Sequence, residues 1–596
     1  MTLIVVPNLM YDPINLGKMM VLGTIGLSCL GIFLGEFRNF LKYLPKIFLA
    51  LIAIFFLSLL VSFFFSGAPL SQQLWGSFGR NTGLLTYVSL IGVLLAATSL
   101  NNQYFLKKLL EVMVWTNIPF VFYCVIQVVG LDPVNWSAFA PFGTLGNVNF
   151  SSAFLGMCAV ASTLLILEFK ANLQKRLWLS ALTLLNLFVI FKTDSIQGFF
   201  VFAAGIVSGL FFVFRKLLKN QNRIYFYFFV IANLVGVSLT SLGIMNRGPL
   251  ARFVFQETLD FRIDYMRAAI KMMLREPWTG VGLDSYGDWY RSDRDVVAAF
   301  RTSLNRTSNS AHNIFLDVGS NVGFFGFFSY LGFVIFVGIF SIRKLLKASE
   351  IDIYFVTAFA CWLGYVLQAL ASINQIGVGI WGWVITGALL GRSLQPENSS
   401  EQNPKLNSKN KKKKDNQLKP LAAVLGFIGM VLGFSLAAIP VNADLKFQQG
   451  NAKLNLTDLV NASKTIGSTA IHLGKTVEIA NNNKFIFQAK EVNDLLIKNY
   501  PREIFGWTIF RTLDNPSVDQ VTYATQQLRN LDPVGSLCLN PDPVTDFLTL
   551  LRALPVEKQK DVVKYWGLPI STFADNARPF AVISPELRTR LQAFCQ

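Results

Sequence analysis

The 596-residue chain is short of charge: Asp, Glu, Lys and Arg together make up only 15% of it. A soluble globular domain carries about 25%, so a cytosolic globular enzyme is excluded before any motif is read. Histidine is scarcer still, with two residues in the whole chain, which leaves little room for a histidine-based metal site. Six cysteines over this length do not make a disulfide scaffold. What is abundant is apolar: 53% of the residues are hydrophobic, 54 are Phe, and the mean hydropathy is +0.45. The net charge of +18 reads first as a topology signal and second as attraction to an anionic partner. Together these describe an all-α polytopic membrane protein.

A helix needs about twenty apolar residues to cross the hydrocarbon. Twelve stretches qualify: 18–35, 46–66, 83–100, 106–130, 149–168, 177–193, 197–214, 224–244, 323–342, 352–372, 374–391 and 420–440. No small-residue cleavage site follows the first, so it reads as a span and not as a removable signal peptide. Basic residues fall on alternate short loops, at Arg38/Lys42/Lys46, Lys107/Lys108, Lys170/Lys175/Arg176, Arg215/Lys216/Lys219/Arg223, Arg343/Lys344/Lys347 and the Lys411–Lys414 tract. The intervening loops are nearly bare, with Lys192 the small exception. The positive side faces the cytoplasm, so both termini are expected outside.

The chain thus divides into a transmembrane domain over 1–391 with a long outer loop at 245–322, a Lys-rich cytoplasmic linker at 392–419, a last span at 420–440 and an outer helical region at 441–596. The linker reads as a stop signal, and no nucleic-acid partner is expected. Breaks at Asn499-Tyr500-Pro501 and Leu531-Asp532-Pro533 suggest an array of helical hairpins in the outer region. Cys538 and Cys595 are the only cysteines outside the spans, and an oxidising exterior would let them pair.

Chemistry concentrates in the 245–322 loop, which holds nine Arg against one Lys. Guanidinium offers a planar fork that grips phosphate bidentately. A helical reading of 257–275 puts Asp260, Asp264, Arg267, Lys271 and Arg275 on one solvated arc, and Leu259, Ile263, Met266, Ala269, Ile270 and Met273 on the opposite one. Arg262 projects from the apolar arc beside Met266 and Met273, where a cation needs an anion. Beyond a break at Glu276–Gly282, His312 is the only His of the transmembrane half, and imidazole suits proton transfer near neutral pH. Other outward segments carry polar residues: Gly79-Arg80-Asn81-Thr82-Gly83, Gly146-Asn147-Val148-Asn149 and Thr193-Asp194-Ser195-Ile196-Gln197-Gly198. Asp194 so near lipid is costly unless paired. Their convergence on one side suggests a site for an anionic, membrane-embedded ligand. Asp293-Arg294-Asp295 reads as ion pairing and not as a metal-binding pair, and Gly474-Lys475-Thr476 lacks the first glycine of a P-loop.

These motifs, with Pro277-Trp278-Thr279-Gly280-Val281-Gly282, Ala311-His312-Asn313 and the stretch from Asn374 to Trp383, give the chain a resemblance over roughly 60–390 to the O-antigen ligase and polymerase family of bacterial membrane glycosyltransferases. The outer C-terminal region resembles the tetratricopeptide-like tail of some members. The resemblance implies a GT-C-type bundle of about twelve spans that uses no metal or cofactor. It implies an inverting transfer of a glycan from a polyprenyl-pyrophosphate carrier to a sugar or protein acceptor outside the bacterial cytoplasmic membrane. His312 would then deprotonate the acceptor, and Arg262 and Arg80 would hold the pyrophosphate. Asn147, Asn149, Asp194, Gln197 and Asn313 would support them. Many members carry Ser-Arg-Gly where this chain has Ser195-Ile196-Gln197, and Arg291 or Arg294 is expected to compensate. Three rivals stand beside the ligase: a polymerase of the same family, a transporter or flippase of an anionic glycolipid, and a non-catalytic scaffold.

Overall fold

A computed structural model of the chain describes residues 1–539 apart from 100–101, 135, 137–139, 169–170, 218–222, 252–257, 303–306 and 396–418, together with Lys558. All regular structure among these residues is helical. In chain order the first ten helices are α1 (Leu16–Gly35), α2 (Phe37–Phe40), α3 (Lys46–Phe65), α4 (Leu70–Trp75), α5 (Leu84–Ser99), α6 (Gln103–Val128), α7 (Val148–Leu165), α8 (Leu173–Lys192), α9 (Ile196–Leu217) and α10 (Arg223–Ile244). The long loop holds α11 (Thr258–Arg275), α12 (Tyr286–Asp293), α13 (Val296–Thr302) and α14 (Ile314–Val322). There follow α15 (Phe324–Lys347), α16 (Ile353–Ala369), α17 (Ile376–Ser393) and the long α18 (Pro420–Ala452). The C-terminal region adds α19 (Leu456–Ser463), α20 (Ala470–Asn482), α21 (Ile486–Asn499), α22 (Ile504–Phe510) and α23 (Val518–Leu531).

Each of the twelve apolar stretches is a helix. Among the described residues, nine are long and apolar enough to cross a membrane. The other three, α5, α16 and α17, run 16, 17 and 18 residues. Polar side chains start these helices where the apolar runs begin: Asn102, Asn147, Asn172, Asp352 and Gln375 each accept a hydrogen bond from a first-turn N–H. α7 lies at the centre of the bundle, packed by α8, α9 and α16, and α5 lies between α1 and α17. The side chains of α10 face outward along most of its length.

α1 and α18 pack backbone to backbone. A Cβ at Gly433 would run into the Gly23 carbonyl, and one at Gly31 into that of Leu425, so small residues set this contact. Pro440 interrupts α18 without ending it. Its missing N–H frees the Leu436 carbonyl four residues earlier, and the Trp75 indole donates to that oxygen at 2.9 Å. At the start of α1, Lys18 is wholly buried and donates to the carbonyls of Ile14 at 2.5 Å and Thr144 at 2.8 Å. This pins the 143–147 loop to the N-terminus.

The C-terminal helices pair as hairpins, α20 with α21 and α22 with α23. They dock on loops of the membrane domain. Tyr500 donates to the Ser468 carbonyl and meets Ser71 at 3.2 Å. The Arg502 guanidinium lies 3.5 Å above the Trp289 ring and donates to the Asp288 carbonyl and the Ser292 hydroxyl. Asp444 of α18 accepts from the backbone of Tyr11 and Asp12 and from His472, whose ring stacks on Phe447. The Gly474–Thr476 triplet lies inside α20, and Lys475 pairs there with Glu478. The linker expected at 392–419 and the Cys538–Cys595 pair lie, but for their edges, outside the described residues.

Candidate functional site

The long loop folds against its own end. α11 packs on α12 and α14, burying Tyr265, Ala268, Ala269 and Met272. This corrects the arcs read from the sequence. Asp264, expected in solvent, is 3% exposed and pairs with Arg267 at 3.6 Å, while Ile263, Ile270 and Leu274 are exposed. The rest of the arcs holds: Ala269 and Met273 are buried, and Arg267, Lys271 and Arg275 are exposed. Between α11 and α12, the turn over Pro277–Gly282 wraps the α14–α15 junction. Val281 N–H donates to Ser320, Gly282 to Asn321, and Phe324 returns a bond to Pro277. Gly280, at φ +62, has no room for a Cβ against the Asn321 backbone.

His312 sits on the tight turn before α14 with φ +50, a left-handed conformation that non-glycine residues rarely adopt. The turn is held from both sides. His312 N–H donates to the Ser310 hydroxyl at 3.2 Å, Ala311 N–H donates to Asp317 at 3.1 Å, and Asn313 caps α14 through Leu316 N–H. The imidazole is half-buried over the Tyr265 ring, with centroids 5.2 Å apart. Burial first, then the cations of Arg262 and Arg80, pull its pKa down to about 4. The ring is therefore neutral at physiological pH, the form a general base requires.

Arg262 lies one turn before Tyr265 on α11. Among the described residues it has no carboxylate partner, and its guanidinium donates to the Ala371 carbonyl at 3.2 Å. Burial lowers its pKa. It is a half-buried cation beside a neutral base. The turn after α16 gathers the rest: Gln197 donates to the same Ala371 oxygen at 3.3 Å, and Asn313 to the Leu370 oxygen at 3.0 Å. Asn149 accepts from Ser195 at 2.8 Å, and Asn147 caps α7 through Asn149 N–H. Asp194 is exposed at the start of α9, so water covers the cost of its charge.

Three expected phosphate ligands stand elsewhere. Arg80 is 4% exposed and held between two carboxylates, 3.1 Å from Asp284 and 2.6 Å from Asp317, with a further bond to the Asn309 carbonyl. It braces the turn that carries His312 instead of opening onto a ligand. Arg291 and Arg294 both pair with Asp532, at 2.9 Å each. The two arginines expected to compensate for the absent Ser-Arg-Gly arginine are thus both held by a carboxylate from the C-terminal helices. Asp293 and Asp295 are also in ion pairs, with Arg275 at 2.7 Å and Lys558 at 2.7 Å.

Tyr265 and the carbonyls of Leu370 and Ala371 were not singled out in the sequence. Tyr265 had a signal, standing one turn from Arg262 on the same helix. Backbone carbonyls carry none.

No curated protein matches the chain. The family model described as O-Antigen ligase matches residues 181–331, a segment that runs from within α8 into α15 and carries both Arg262 and His312. Residues 181–331 are therefore an O-antigen ligase family domain, set in an all-helical polytopic membrane protein.

Proposed function

We propose that the protein is a membrane glycosyltransferase that moves a glycan from a polyprenyl-pyrophosphate carrier to an acceptor outside the bacterial cytoplasm. The observation that carries this reading is the pairing of Arg262, a half-buried cation with no carboxylate partner among the described residues, with a neutral His312 across Tyr265. The O-antigen ligase family match over the same residues supports it.

In the reaction His312 takes the proton of the acceptor hydroxyl. The hydroxyl oxygen attacks the anomeric carbon of the donor sugar, and the bond from that carbon to the pyrophosphate oxygen breaks. A single displacement inverts the anomeric centre. The pyrophosphate leaves with the bonding electron pair, and Arg262 meets its growing charge with a donor already in place. No metal or cofactor is given a part. A donor already activated on a lipid suits the outer face, where nucleotide sugars are absent.

The alternation of basic loops supports an outer position for the Arg262–His312 centre, the C-terminal helices and both termini, in a cytoplasmic membrane. The test is transfer by the purified, lipid-reconstituted protein from a polyprenyl-pyrophosphate oligosaccharide, with excess chelator present. Transfer that survives chelation and falls in both Arg262→Ala and His312→Ala supports the reading. Full transfer by the His312→Ala protein removes it.

A further inference from the structure

Behind the turn that carries His312, a cavity of about 210 Å³ lies between the outer loops of the membrane domain and the C-terminal helices. At about 30 Å³ per water it has room for some seven waters, the size of one small polar molecule and not of a chain. α4 and the loop after it form one wall, α18 and α20 the other, and Tyr500 and Glu503 close it from the end of α21.

Its chemistry is one-sided. Four carboxyl groups line it, from Asp12, Asp288, Asp444 and Glu503, with no Lys or Arg among the lining residues. Trp75 and Phe78 supply flat apolar faces, and Gln72 and Asn81 supply amides. Two of these side chains carry acceptors that nothing satisfies: Asp12 Oδ2 and Asn81 Oδ1 are buried without a partner, on residues that are each 4% exposed. Those two atoms are closed off even from a water-sized neighbour; the four carboxyl groups around the open space are what favour an occupant that donates. Burial pushes the Asp288 carboxyl up to about 7 and those of Asp12 and Glu503 upward. Such groups can donate as well as accept.

The lining disfavours phosphates and carboxylates and favours a compact molecule with many hydroxyl or ammonium donors and one apolar face. We propose that this cavity binds a single neutral or amino-bearing sugar residue, as a subsite separate from the Arg262–His312 centre. The choice of a sugar over another polyol rests on the glycosyl-transfer reading; the exclusion of anions rests on the lining alone. The subsite touches the reaction centre from behind. Asn309 lines the cavity, its carbonyl accepts from Arg80, and His312 follows three residues later on the same turn. An anion-rejecting subsite so placed fits a non-reacting sugar of the acceptor and not the pyrophosphate-bearing donor.

The experiment is calorimetric titration of the full-length protein in nanodiscs with glucosamine, glucose and glucose 6-phosphate. One sugar binding saturably at one site per chain, with no glucose 6-phosphate binding, is expected. Asp288→Leu removes a carboxyl from the lining, and Ile471→Trp narrows the cavity from its exposed rim. Each variant with an unchanged melting midpoint should weaken binding at least tenfold, while His312→Ala leaves it intact. No saturable binding of either sugar, stronger binding of glucose 6-phosphate, or undiminished binding in both cavity variants overturns the subsite. The two readings fail separately, since binding is read without turnover. Transfer without sugar binding removes only the subsite, and sugar binding without transfer removes only the glycosyltransferase.

Discussion

Gln197 and Arg262 donate to one oxygen, the carbonyl of Ala371, at 3.3 and 3.2 Å. That oxygen joins the start of α9 to the loop helix α11 and fixes where the guanidinium stands. Part of the fork is spent on protein and the rest is available to a ligand. Arg262→Lys keeps the charge but has only one nitrogen to divide between carbonyl and phosphate. Binding of polyprenyl pyrophosphate should weaken roughly tenfold on the strength of the lost bidentate contact. His312→Ala should bind it as the wild type does and turn over about 10²–10⁴-fold more slowly. Equal losses of binding in both variants would show that the two residues do not divide the work in this way.

The pH profile should separate free from loaded enzyme. His312 in the free protein holds its proton only below about pH 4, through burial and the neighbouring cations. The acid limb of kcat/KM reports the free enzyme, so it should fall well below the ordinary histidine value of about 6.5. A bound pyrophosphate offsets the charge of Arg262 and raises the imidazole pKa, which makes it a stronger base. The acid limb of kcat should accordingly lie at higher pH than that of kcat/KM. Two coincident limbs near 6.5 would remove His312 from its place beside Arg262.

Arg80 should matter through stability before it matters through binding. Arg80→Met leaves Asp284 and Asp317 without their shared cation, and breaking a buried pair in this way costs about 3–5 kcal/mol. The melting midpoint in detergent should drop by several degrees, and adding Asp317→Asn should recover part of it. A midpoint that stays put while polyprenyl-pyrophosphate binding collapses would return Arg80 to the role of a ligand.

Arg80 also shows where sequence reading stops. The spans were legible because a run of about twenty apolar residues is a local property. Arg80 was legible as unusual, one cation on a bare loop. Its partners lie more than 200 positions away, and nothing local says that carboxylates meet it there. The pairing of Arg291 and Arg294 with Asp532 was hidden for the same reason, since Asp532 comes from another part of the chain. For α11 the arcs held in part: Arg267, Lys271 and Arg275 are exposed and Ala269 and Met273 buried, while Asp264 is buried and Ile263 and Ile270 are exposed. His312 was legible through its scarcity, its place in the Arg-rich loop and the Ala311-His312-Asn313 pattern.

Topology is open to a direct check. A reporter that works only after export, fused after residue 445, should be active, and one that works only in the cytoplasm should be silent. The opposite pattern would put the C-terminal helices and the Arg262–His312 centre on the cytoplasmic side, where an externally delivered donor is no longer required.

The 33-residue α18 runs on past the span into the C-terminal helices without a break. At 1.5 Å per residue it is about 50 Å long, against a hydrocarbon core of about 30 Å. The surplus is a rigid shaft, and the bond from Trp75 keeps Pro440 from becoming a hinge in it. Height and heading of the C-terminal helices are thus both set by helical phase. One residue inserted between Pro440 and Asp444 would lift that domain by only about 1.5 Å but turn it by about 100°. Arg502 would then swing away from Trp289, and Asp532 from its two arginines. A change in membrane thickness or in the tilt of α18 would reach the loop helices by the same shaft, as a rotation.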